Sequence, residues 1–165
     1  MKIKIMVIAT TVITLFAINS SNAQTTSMNS NATFESALSK NIVANNRVQS
    51  KFKKDFPNAE NTNWVSTKMG YEARFLNKGI TTEVGYGKTG SVNYYVQHYT
   101  ASHLPSTIIS ELNNTYKEYD IMEVTEVHSG GQIAYLVNIQ SKKFSKIIRI
   151  NDDGMDVYQD VALSF

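Results

Sequence analysis

Four stretches of the chain carry residue types at spacings that could do chemistry. Gly85-Tyr86-Gly87-Lys88-Thr89-Gly90 matches the G-x-G-x-x-G pattern of a dinucleotide site. There the glycines must open a helix whose N-terminus holds the pyrophosphate. Here Ser91 to Tyr99 follows and alternates like a strand, so the glycines read as a turn. Ser50 and Lys53 match S-x-x-K, and Lys88-Thr89-Gly90 matches K-T-G, two parts of a penicillin-recognising acylation site. The S-D-N part is missing, and the chain is too short for the two-domain fold that aligns all three. Asn151-Asp152-Asp153-Gly154-Met155-Asp156 gathers three carboxylates near a glycine. A calcium loop of that kind ends in a bidentate Glu; Ala162 stands in its place, and the run fits a hairpin turn. His98, His103 and His128 lack a partner at metal-ligand spacing, and no H-E-x-x-H or Gly-x-Ser-x-Gly occurs. No residue is therefore assigned a catalytic, cofactor-binding or metal-binding role, and the chain is read as a non-enzyme without a cofactor.

Composition narrows the classes further. There is no cysteine, which removes disulfides, thiolate metal sites and thiol nucleophiles together. Lys2 and Lys4 precede an apolar run from Ile5 to Ile18, and Ser21-Asn22-Ala23 offers small residues for a signal peptidase. Residues 1–23 thus read as a signal peptide cleaved after Ala23, the run being shorter than the roughly 20 apolar residues of a membrane span. The expected compartment is periplasmic or secreted. Without its signal the chain keeps 142 residues, with 14 basic against 14 acidic. That balance argues against nucleic acid or a membrane surface as partner. A chain of this size buries enough surface to fold without staples.

Residues 24–46 are rich in Thr, Ser and Asn and read as a flexible lead-in or a marginal helix through Phe34, Leu38 and Ile42. Two similar segments follow, 47–101 and 102–165. The first opens with Val48, Phe52 and Phe56 at helical spacing, capped by Asn45 or Asn46 and stopped by Pro57. Four strands are expected after it: Trp64 to Met69, then three that share the faces Tyr71/Ala73/Phe75, Ile80/Thr82/Val84/Tyr86 and Val92/Tyr94/Val96. The second segment places Ile108, Ile109, Leu112 and Tyr116 on a helix after Pro105, then strands near Ile121–Val127, Gln132–Ile139, Phe144–Ile150 and Met155–Val161. Hairpin-length connections make the strands antiparallel. The expected fold is α+β: two helix-plus-four-strand antiparallel meander units, the helices packed on one sheet face.

Phe56-Pro57-Asn58-Ala59, Trp64, Glu72-Ala73-Arg74-Phe75, Gly79, Gly90, Leu104-Pro105 and Tyr116, in that order, resemble the secreted PepSY-like family, also described as β-lactamase-inhibitor-like. The resemblance covers roughly Phe52 to Val161. It implies a small exported domain with helices on an antiparallel sheet, whose role is binding or inhibiting another protein. It carries no catalytic motif.

The surface candidates are aromatic and aliphatic. Tyr95 and Tyr99 fall opposite Val92/Tyr94/Val96, among polar neighbours, where Tyr serves either as an interface anchor or simply as a good strand residue. Ile133 to Val137 is apolar without alternation, and Ile147 and Ile148 are adjacent. Leu136, Ile147 and Tyr158 are therefore expected on the outer face of the second unit, either exposed to a partner or buried between the units. The sequence points to an exported binding module, an inhibitor or modulator of another protein, with protein or peptide as partner. The alternative is a periplasmic carrier of a small ligand or peptide.

Overall fold

The Val48/Phe52 stripe forms helix α1 (Asn46–Asp55) in the computed structural model, which describes residues 43–163. The expected signal peptide and most of the lead-in lie outside the described residues. Asn45 caps α1: its side-chain oxygen accepts from the Val48 N–H at 3.0 Å. Lys53 and Lys54 in the last turn oppose the negative end of the helix dipole. The Phe56 N–H closes the helix on the Phe52 carbonyl, and Pro57 prevents another turn.

Four strands follow: β1 (Ala59–Ser66), β2 (Gly70–Asn77), β3 (Ile80–Gly87) and β4 (Val92–Tyr99). A short 3-10 turn (Ala101–His103) leads to α2 (Ser106–Thr115), then β5 (Asp120–Ser129), β6 (Gln132–Gln140), β7 (Phe144–Asn151) and β8 (Gly154–Ala162). The β2–β3 hairpin turns on Lys78 and Gly79, whose φ values of 52° and 80° suit the type I′ geometry that matches strand twist. The first strand starts five residues earlier than expected. Its opening residues are polar because this edge strand is largely solvent-exposed, and a bulge at Asn61 (φ 54°) lets the pairing continue. The G-x-G-x-x-G stretch ends β3 and forms the β3–β4 turn, where the Gly87 N–H donates to the Ser91 carbonyl at 2.8 Å.

The expected two-unit architecture is not what forms. All eight strands join one antiparallel sheet in chain order, β1 to β8. Strand β4 pairs directly with β5 from Tyr94↔Ser129 to Tyr99↔Val124. The segment carrying α2 returns the chain beside the strand it left, so the first four strands gain a fifth neighbour instead of ending at an edge. The non-alternating β6 and β7 are consequently not buried between two units. Val137, Ile139, Ile148 and Ile150 face α2, while Leu136 and Ile147 lie on the opposite side.

Both helices cover the same face of the sheet. Val48 and Phe52 pack on Ala73, Phe75, Val84 and Tyr86. Leu112, with Ile108 and Ile109, packs on Val124, Val137, Ile139 and Ile148. The cross-strand row Val84↔Tyr95↔His128 runs on that face from the first cluster onto β5. Val48, Leu112 and Ile148 are at most 1% exposed; burying each stabilises the fold by about 1.5–3 kcal/mol.

A continuous sheet predicts one folding unit. Phe52→Ala and Leu112→Ala, one in each cluster, should each lower stability by about 2–5 kcal/mol. Urea unfolding followed by both Trp64 fluorescence and far-ultraviolet circular dichroism should keep a single coincident transition in each variant. Separate transitions for the two signals would refute the coupling.

Candidate functional site

The sheet face opposite the helices carries the open side chains. The register places Glu72, Arg74, Glu83, Tyr94, Val96 and His98 there in the first half. Thr125, Leu136, Ile147 and Arg149 extend it through the second half. No helix covers this face among the described residues, yet Val96 is 1% exposed and Thr125 2%. Neighbouring side chains on this face close over them.

The first half of this face is a polar network. Arg74 Nε donates to Glu72 Oε1 at 2.8 Å and lies 3.5 Å from Glu83 Oε1, and the Tyr94 hydroxyl donates to Glu72 Oε2. Gly85 makes this arrangement possible: a Cβ there would lie 2.3 Å from the Tyr94 ring. Burial raises the Glu83 carboxyl above its ordinary value, with Arg74 opposing and Glu72 reinforcing the shift. Burial and the bond to Glu72 push the Tyr94 phenol well above its usual range. His98 Nδ1 lies 3.1 Å from Thr125 Oγ1, which gives that buried hydroxyl its partner.

The second half is more apolar. Leu136 pairs across the ladder with Thr125 and Arg149, and Ile147 with Asn138; both are half-buried. Arg149 bridges to Asp156 through two nitrogens at 2.9 Å, and its guanidinium lies 5.8 Å from the Tyr158 ring centroid. Leu136, Ile147 and Tyr158 are thus brought together on the helix-free face.

Tyr95 and Tyr99 are placed differently from the expectation. They sit on the helix-covered face. Tyr95 stacks on Phe56 at 5.8 Å, and Tyr99 is 8% exposed within the α2 cluster. Strand β4 has tyrosines on both faces, and a bulge where Tyr86 meets Val92 shifts the pairing, so alternation alone assigned the faces in reverse. The Tyr99 hydroxyl donates to Glu126 Oε2, and His128 Nε2 contacts Glu126 Oε1. Sequence reasoning missed this Glu126 cluster and the Glu72/Arg74/Glu83/Tyr94 network. The alternation of β2 and β3 held the signal for the second, since it puts Glu72, Arg74 and Glu83 on one side.

An open cleft of about 590 Å³ lies where the β2–β3 turn approaches the start of β5, lined among others by Ile80, Thr81, His98, Tyr99, Met122 and Glu123. Among the described residues, no group of three His, Cys, Asp or Glu side chains could hold a metal ion.

His98 supplies a test by pH. Burial lowers its pKa below the ordinary 6.5; Glu123 opposes that shift and Arg74 adds to it. The unfolded chain therefore takes up the His98 proton before the folded one does. Stability from this group is complete above pH 6.5 and falls as pH drops through the lower folded-state value. His98→Gln should flatten the decline of denaturation midpoint below pH 6.5. An unchanged slope would show that His98 is not the group responsible.

No protein-family model matches the chain, and no curated protein matches it. Solved structures do. A Bacteroides eggerthii protein described as periplasmic is 19% identical, with a TM-score of 0.58 over 73% of this chain and 90% of that one. A DUF2874 family protein from Bacteroides uniformis is 20% identical at the same TM-score and coverage. A BLIP-like protein from Bacteroides fragilis is 15% identical, with a TM-score of 0.58 over 75% of this chain and 89% of that one. The BLIP-like description agrees with the β-lactamase-inhibitor-like resemblance of the sequence motifs; its PepSY component has no counterpart in these comparisons. What the chain shares with these Bacteroides proteins is their fold.

Proposed function

We propose that the protein is a non-enzymatic binding module of the periplasm that docks another protein on the helix-free face of its sheet. The observation that carries this reading is the asymmetry of the sheet. One face is filled by two helices, while the other presents Leu136, Ile147 and Tyr158 beside a charged and tyrosine-bearing network. Half-buried aliphatic and aromatic side chains framed by ion pairs are the composition of an interface centre and its rim. The periplasmic assignment is supported by the signal-like residues 1–23 and by the description of a protein that shares the fold. An inhibitory role is one form of such docking; the BLIP-like description of another protein with this fold makes it the form to test first.

Site-specific photo-crosslinking tests the reading in the source cells. A crosslinking residue at Leu136, Ile147 or Tyr158 should capture a discrete polypeptide, and one at Ser110, exposed on α2, should not. Leu136→Arg combined with Ile147→Glu should reduce capture from Tyr158 at least tenfold. Equal capture from Ser110, or none from any of the three positions, would sink the proposal.

A further inference from the structure

The cleft beside β5 holds a carboxylate that the protein itself leaves without a counter-charge. Glu123 forms no ion pair among the described residues. It faces Asn138 across the β5–β6 ladder, on the helix-free side of the sheet. A bulge between Ile121 and Glu123 re-aims the strand at this point and leaves Met122 half-exposed at the cleft.

The groups around Glu123 select the kind of ligand. His98 lines the same cleft, and its lowered pKa keeps it neutral near pH 7, so it does not compensate the carboxylate. In the tautomer that donates Nδ1–H to Thr125, Nε2 is left as an acceptor. Thr81 adds a hydroxyl and His103 a second imidazole. Arg74, the neighbouring guanidinium, is already committed to Glu72 and Glu83. An anion would therefore meet an uncompensated carboxylate. A metal ion is not served either: Glu123, His98 and His103 line the cleft, but among the described residues no three such side chains converge to hold one. An organic cation fits both conditions.

Size and lining narrow the cation. The cleft is far larger than a bare ammonium group, and Ile80 and Met122 give it apolar wall. Arginine combines a planar fork that matches a carboxylate with an aliphatic stem that covers apolar surface. We infer that this cleft receives one arginine side chain of the docked protein, with Glu123 as its counter-ion and Ile80 and Met122 against its stem. The inference rests on the docking role proposed for the helix-free face and names the chemistry that face recognises at one end.

The test separates the two. N-acetyl-arginine amide is titrated into the full mature chain while backbone amide shifts are followed by NMR. N-acetyl-citrulline amide, its neutral near-isostere, is the control. Saturable shifts confined to Thr81, His98, Glu123 and Asn138 are expected with the arginine derivative only. Glu123→Gln, which keeps shape and removes charge, should weaken binding about tenfold or more, the loss expected of one charge-assisted contact. The dispersed spectrum of that variant serves as its folding control. Equal shifts from citrulline, shifts scattered over other acidic residues, or binding that survives Glu123→Gln would each overturn the assignment. If crosslinks form at Leu136 and Ile147 while the arginine derivative fails, the docking face stands and the arginine cleft falls.

Discussion

The pairing of β4 with β5 is the constraint on which the rest of the molecule depends. Its register, from Tyr94↔Ser129 to Tyr99↔Val124, turns two four-stranded meanders into one sheet. Without it each half would have an additional edge of unpaired main-chain groups, a standing liability for aggregation. With it, both helices lie along one face of one sheet, each over its own apolar cluster. The pairing also fixes which side chains share the opposite face. A slip of one residue would send Val96 and Thr125 to the helices and bring Tyr99 to solvent.

That register also sets a polar cluster on the helix side of the sheet. Glu126 pairs with Gln97 on the helix side, between the two apolar clusters, where a lone carboxylate would be costly. The Tyr99 hydroxyl and His128 satisfy its two oxygens. Tyr99 therefore serves twice: its ring fills the α2 cluster and its hydroxyl answers a charge. The Tyr86 hydroxyl is the exception, buried with no hydrogen-bond partner among the described residues. Its ring fills space beneath α1, a gain that offsets about 1–3 kcal/mol for the unmet donor.

Much of the local structure was legible in the sequence, because it is written in short-range pattern. Val48, Phe52 and Phe56 announced α1 by spacing, Asn77-Lys78-Gly79 announced its hairpin, and the alternation of β2 and β3 announced their inner faces. The β4 face was not legible, since Tyr94, Tyr95 and Tyr99 populate both sides and the bulge at Tyr86 and Val92 shifts the pairing. Nor was the joining of the two halves. The partners of β4 and β5 are separated by α2 and its flanking turns, and nothing local in either strand marks it as central. The failure of alternation in β6 and β7 did point to Leu136 and Ile147 as unusual. The cleft at Glu123 could not be read at all, because it needs the register of three strands and one bulge to bring Thr81, His98 and Glu123 together.

The helix-free face is graded along the sheet, and the gradient has consequences for recognition. Its β2–β4 end holds Glu72, Arg74 and Glu83, and Glu123 follows on β5. Three carboxylates there outnumber one guanidinium. At the β6–β8 end, Arg149 and Asp156 neutralise each other around Leu136, Ile147 and Tyr158. Charge of one sign acts at a distance and orients an approaching partner, whereas desolvated apolar contacts act only once it has arrived. In the proposed docking, the acidic end would set orientation and on-rate, and the apolar end residence time. Raising salt should slow association while leaving dissociation nearly unchanged, because screening weakens the long-range field of the carboxylates far more than the contacts at Leu136 and Ile147.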